Sequence, residues 1–163
     1  MSKTVAAVAR NLAQVQEHIA SAARRVGRSP DEVTLVAVTK TFPPEVIRVA
    51  YEAGQRDFGE NRIEEAAVKA PLLPADIRWH MVGHVQSRKA RQVAGCCHLI
   101  HSVDTVKLAR RLSQAAGASD TPLSVLLEVN VGREANKYGF LPEQVADALG
   151  EIITLPLLRV EGL

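Results

Sequence analysis

Lys40 ends an almost wholly apolar run, "VTLVAVTK", just before Pro43 and Pro44 turn the chain. A primary amine at the C-terminal end of a buried strand stands where α/β folds gather their ligand sites. Desolvation there lowers a lysine's pKa and makes the neutral amine a nucleophile toward a carbonyl. The plainer reading is a lysine that snorkels into water and merely ends the strand. Further on, "FGENRIEE" (58–65) offers Glu60 and Asn61 for the same mouth. Asn61 also reads as a helix N-cap, with Glu64 three residues later completing a capping box.

"WHMVGHVQSRKAR" (79–91) carries His80 and His84 at the spacing of two helical metal ligands, but no Glu stands between them as in a zincin. The apolar residues around them place His80 on a strand and His84 on the loop after it. Cys96, Cys97, His98 and His101 add ligand types without a recognisable metal spacing, so no metal site is expected. Ser87, Arg88, Lys89 and Arg91 read as a solvated basic helix face, with an anion contact as the minor alternative. "EVNVGREANKYGF" (128–140) brings Asn130 to a strand end and Lys137 into a polar loop, both candidate site groups. No dinucleotide, P-loop or serine-hydrolase motif occurs.

These residues need a scaffold, and the apolar periodicity supplies one. Runs at 33–39, 57–59, 77–82, 98–103, 123–131 and 157–162 read as strands, and 44–53, 62–69, 87–94, 105–116 and 142–152 as helices. Runs such as "VTLVAVT" lack the alternation of a half-exposed strand and read as parallel strands buried on both faces. Val5, Val8, Leu12, Val15, Ile19, Ala22 and Val26 form one apolar stripe of an N-terminal helix docked on the domain. Six β/α units fit either an open doubly wound sheet or six-eighths of a (β/α)8 barrel. The last run closes the chain with no helix after it, which favours an incomplete barrel.

With 163 residues, 47% hydrophobic and 23% charged, the chain reads as one soluble domain. A net charge of +2 is too balanced to point to nucleic acid or a membrane surface. No apolar run approaches the roughly 20 residues of a membrane-crossing helix. Arg10, Gln14 and Glu17 interrupt any secretory core, and Glu17 argues against a transit peptide. Cys96 and Cys97 are adjacent and suggest no disulfide framework, which fits a reducing, cytoplasmic compartment.

Taken in order, "LVAVTKTFPPEVIRVAYEAGQRDFGENRIEEA", "IRWHMVGHVQSRKAR", "IHSVDTVKLARRL" and "LLEVNVGREANKYGF" resemble the YggS/PROSC family, the pyridoxal phosphate homeostasis proteins. The resemblance runs from the N-terminal helix to the last residue. It implies the alanine-racemase N-terminal barrel, a (β/α)8 TIM barrel, with residues 1–163 as a single domain that binds pyridoxal 5′-phosphate (PLP). It places the Schiff-base lysine of the family's [ST]K[TS] motif on Lys40. Asn61 and His80 match positions lining the cofactor cavity, and Lys137 is a weaker match for a cofactor or phosphate contact.

The family continues for two further β/α units, which carry a phosphate-holding Ser/Gly-rich loop and a late Arg-Ile-Gly segment. By that comparison the chain looks like an N-terminal portion. The implied role is intracellular PLP (vitamin B6) homeostasis, as a carrier without established turnover rather than an enzyme. PLP-dependent apoenzymes are the implied acceptors, and a monomer is expected when the barrel is complete. The alternatives are a racemase-like enzyme, for which Tyr51 and Tyr138 match no catalytic-tyrosine motif, and a cofactor-free fragment.

Overall fold

A computed structural model describes residues 3–118 and 120–163, with the backbone alone for residues 3–6. Six strands alternate with helices: β1 Ala37–Val38, β2 Asp57–Glu60, β3 Arg78–Met81, β4 Leu99–Val103, β5 Leu123–Leu127 and β6 Leu158–Gly162. The helices are α1 Lys3–Arg25, α2 Pro44–Glu52, α3 Ile63–Lys69, α4 Ala90–Ala94, α5 Val106–Gly117 and α6 Val145–Ile152. Every strand pairs in parallel with the next, in the order β1-β2-β3-β4-β5-β6. A doubly wound sheet would reverse direction from an interior strand; this order is that of a barrel wall.

Helix starts follow local chemistry. Pro44, at the first position of α2, has the φ a helix needs and no amide to leave unpaired. Thr105 caps α5 by accepting a hydrogen bond from the Leu108 amide at 3.2 Å. α5 buries Leu108, Ala109, Leu112 and Ala116 against the sheet. There they join Phe58, Trp79, Met81, Ile100 and Val125 in one core between helices and sheet. Leu108 and Leu112 are fully buried, so truncating either to alanine should cost about 2–5 kcal/mol.

Three expectations change. Burial on both faces holds for β2 but not for the first and fifth runs: Val38 is 48% exposed and Val33 40%. In β5, Leu123, Val125 and Leu127 are buried while Ser124 and Leu126 are only half-buried. Helices cover one face of the sheet; the inner face is exposed at Val38 and half-buried at Ser124 and Leu126 but buried at Asp57 and His80, and among the described residues β1 pairs with β2 alone, over Ala37–Val38. The apolar stripe of α1 is only partly used. Val8, Leu12 and Ile19 are half-buried and Ala23 is buried, but Val15, Ala22 and Val26 stay exposed. α1 packs on α2 and the turn Pro30–Glu32, a contact narrower than the stripe. The side chain of Val5 lies outside the described residues. The helix expected over 87–94 is a 3-10 turn, Ser87–Lys89, followed by α4.

Candidate cofactor site

Lys40 leaves the sheet at the C-terminal end of β1. The Thr39 amide donates to the Gly59 carbonyl at 2.8 Å, which fixes this end of the chain beside β2. The Lys40 side chain is exposed rather than desolvated, but both neighbouring residues are held. Thr39 is buried, and its Oγ1 donates to Glu60 Oε1 at 2.7 Å. Thr41 sits at φ 68°, a left-handed conformation that a β-branched residue seldom adopts. Its amide donates to Glu65 Oε2 at 2.9 Å.

Lys69, from the end of α3, joins these two anchors. Its Nζ donates to the Thr39 carbonyl at 3.0 Å, to Glu60 Oε1 at 2.7 Å and to Glu65 Oε2 at 2.9 Å. An ammonium has three donors, and all three are used. Burial alone would lower the Lys69 pKa, but its hydrogen bonds to Glu60 and Glu65 outweigh that and raise it. The Thr41 amide and Lys69 hold the Glu65 carboxyl below its ordinary range. Glu60, expected as a candidate for the mouth, therefore faces the helix layer behind it, fully buried.

Asn61 follows at the rim. It does not cap α3: the capping position is Arg62, with no side-chain hydrogen bond. The Asn61 backbone is instead pressed against Gly83 of the neighbouring loop, where a β-carbon would lie 2.3 Å from the Asn61 carbonyl oxygen. Only glycine lets the two loops approach this closely. Beside this contact lies a pocket of about 540 Å³ lined by Asn61, Gly83, His84, Lys89 and Tyr138 among others. The His84 and Tyr138 rings stack at 3.6 Å and 10°, which brings the loop carrying Lys137 to the β3 end of the mouth. Lys137 is exposed, and its backbone amide closes a turn to Glu134 at 3.1 Å.

His80 lies deeper. The strand register sets it level with Gly59 and hence with Val38, two residues before Lys40. On the inner face its Nε2 meets Asp57 Oδ1 at 3.0 Å, and its Nδ1 meets His101 Nε2 at 2.9 Å. Arg78 grips Asp57 with both ends of its guanidinium, at 2.7 and 2.5 Å. Burial disfavours an ionised Asp57, but hydrogen bonds from Arg78 and His80 outweigh it and depress the carboxyl's pKa. Burial also lowers the pKa of His80 and of His101. A neutral His80 then donates from Nε2 to the carboxylate, and His101 must donate to its Nδ1. Both His80 nitrogens are thus engaged beneath the mouth.

Next to the His84–Tyr138 pocket, beyond β3, stand two carboxylates. His84 Nδ1 pairs with Asp104 Oδ2 at 2.9 Å, and nearby Glu128 has a buried Oε2 with no partner among the described residues. Burial, then the Asp104 charge, raises the Glu128 pKa, against the opposing pull of His84. Asn130, expected as a site group, instead folds its own loop, with Nδ2 donating to the Glu134 carbonyl and Oδ1 accepting from the Glu134 amide. Lys89 pairs with Glu64, while Arg88 and Arg91 lie with Lys107 and Arg111 along an outer groove away from the mouth. His80 and His84 reach different partners, and among the described residues no cluster of three metal-ligating side chains forms.

The structure thus brings Lys40 and Asn61 to one rim, places Lys137 on a loop reaching it, and sets His80 below. Sequence reasoning missed Lys69, Glu65, Asp57 and His101 as partners. Glu65 and Lys69 are four apart on a helix, the one local signal of a pair.

Residues 5–163 match the family described as alanine racemase, N-terminal domain. The pyridoxal phosphate homeostasis protein of Pseudomonas aeruginosa is 44% identical over 157 residues, covering 96% of this chain and 68% of that protein. The chain belongs to the pyridoxal phosphate homeostasis protein family. The Escherichia coli member is 40% identical over 160 residues, with the same two coverages. Among solved structures, this family member resembles PipY of Synechococcus elongatus without PLP, with a TM-score of 0.83 at 37% identity over 96% of this chain and 69% of that one. PipY with PLP bound gives 0.80 at 36%, over 96% and 68%. A histidine racemase from Leuconostoc mesenteroides, at 21% identity and a TM-score of 0.68 over 94% of this chain and 39% of that one, shares the fold. The expected α/β barrel of the alanine-racemase N-terminal type is therefore borne out over five β/α units and a sixth strand.

Proposed function

We propose that this chain binds pyridoxal 5′-phosphate at Lys40 and serves intracellular PLP (vitamin B6) homeostasis as a carrier. The observation that carries the reading is an exposed primary amine at the C-terminal mouth whose two flanking residues are both pinned. Relatives of this family bear the name pyridoxal phosphate homeostasis protein, and PipY has been solved with PLP bound. When bound, the cofactor supplies an aldehyde that condenses reversibly with a primary amine.

The residues fit such a group. Lys40, outside the pocket's lining, offers the amine at the end of β1, and Asn61, one strand over, lines a pocket walled by the His84–Tyr138 stack. Lys137 contributes a cation on the loop carrying that stack. His80, held by Asp57 and His101, lies buried lower on the inner face, outside that pocket's lining. We read residues 1–163 as one PLP-binding unit of a monomer that works in the cytoplasm. Among the described residues no helix is long and apolar enough to cross a membrane, and Cys96 and Cys97 are free thiols, which suits that compartment. PLP-dependent apoenzymes would be its acceptors.

A carrier is favoured over a racemase by where the tyrosines sit. The Tyr51 hydroxyl donates to Asp76 Oδ1 at 2.7 Å, near the N-terminal end of β3 and away from the mouth. That hydrogen bond raises its pKa. Tyr138 is stacked on His84 rather than facing Lys40 across an open site. The test is a PLP titration followed by borohydride trapping and peptide mapping. Label should appear on Lys40 and vanish in Lys40→Ala, and label confined to another lysine would overturn the assignment. L-Alanine incubated with the loaded protein should keep its optical rotation.

A further inference from the structure

We infer that Glu65 and Lys69, carried by α3 behind the sheet, are positioning residues for Lys40. The inference rests on the reading of Lys40 as the PLP attachment point and adds how that amine is aimed. Among the described residues, no hydrogen bond or ion pair orients the Lys40 side chain itself. Its direction must therefore come from the backbone on either side. On the N-terminal side, Thr39 is clamped by Glu60 at its hydroxyl and by Lys69 at its carbonyl. On the C-terminal side, the Thr41 amide is held by Glu65. Lys69 bridges both carboxylates, so the two clamps form a single unit.

Two features argue against a purely stabilising role. Thr41 is held at φ 68°, a strained backbone for a β-branched residue that persists only if its surroundings enforce it. Among the described residues Glu60 also leaves its buried Oε2 without a partner, so the network is not arranged to satisfy itself. Burying ions in this way seldom gains stability over apolar packing. What it does gain is a rigid Thr39–Lys40–Thr41 backbone, with the amine projecting from the wall into the mouth.

The test uses the full chain with Glu65→Ala, which removes the acceptor for the Thr41 amide, and Glu65→Gln, which keeps a neutral one. Glu65 is 26% exposed, so both variants should fold, with denaturant midpoints as the control. Hydrogen exchange at the Thr41 amide reads the clamp, and borohydride trapping at subsaturating PLP reads the amine. Glu65→Ala should speed Thr41 exchange and cut Lys40 labelling about tenfold or more, since small misplacements of a reacting group carry penalties of that order. Glu65→Gln should restore most of both. Fast Thr41 exchange with unchanged Lys40 labelling would overturn the inference, as would exchange unaffected by Glu65→Ala. If the wild-type chain takes up no PLP at Lys40, it is the cofactor reading that fails. Competitive acetylation then decides: a changed Lys40 rate relative to the other lysines in Glu65→Ala upholds positioning, and an unchanged rate rejects it.

Discussion

Strand β2 carries two buried carboxylates on opposite faces, and they are handled differently. Glu60 points into the helix layer and meets a buried ammonium, with Thr39 and Glu65 closing the group. Asp57 points to the inner face, where it is shared between a half-exposed guanidinium and a buried imidazole that leads to a second one. The outer network is ionic, largely buried and tied to backbone atoms around Lys40. The inner one ends in water at Arg78 and in neutral rings at His101. The first holds a backbone shape, and the second holds ring orientations. Breaking them should therefore have unequal consequences.

The largest effect is expected from Lys69→Met. It leaves Glu60 and Glu65 facing each other without a cation, and breaking a buried pair in this way costs about 3–5 kcal/mol, measured as a fall in the denaturant midpoint. Asp57→Ala should cost less, about 1–3 kcal/mol, because Arg78 can turn to solvent while His80 loses one partner. Equal losses from the two variants would remove the distinction between the networks.

Acid separates them further. His80 and His101 have lowered folded pKa values, so below the ordinary imidazole value of about 6.5 the unfolded chain binds protons that the folded chain refuses. Stability should begin to fall there as pH drops, and His80→Gln should flatten that limb. Asp57 and Glu65, with depressed pKa values, keep their contributions above the ordinary carboxylate range of about 4 and lose them as pH falls through their folded values. Lys69, with a raised pKa, contributes until pH climbs past about 10.4 and through its folded value. Mild acid should thus weaken the inner network first. The smallest effect should come from Arg78→Gln, under about 1 kcal/mol, because that side chain is 48% exposed.

Much of this architecture is legible in the residues. Apolar runs alternating with helical periods predict the β/α units, and the lysine ending "VTLVAVTK" before two prolines predicts a group at the C-terminal mouth. The clamps behind Lys40 are not legible in that way. Lys69 reads as a solvated helix lysine paired with Glu65, and only the parallel register reveals that Thr39 and Glu60 meet it. His80 and His101 are brought together by two adjacent strands, a pairing no local spacing encodes. Asn61 misleads as a cap because the force on it comes from Gly83, more than twenty residues away along the chain.

Thr41 has a consequence for variation in this protein. Glycine at 41 would relieve the left-handed backbone, and a library screened only for thermal tolerance should enrich Thr41→Gly. The same substitution would loosen the hinge from which Lys40 projects, so a screen for cofactor retention should deplete it. Position 41 is therefore where selection for durability and selection for use would pull the sequence in opposite directions.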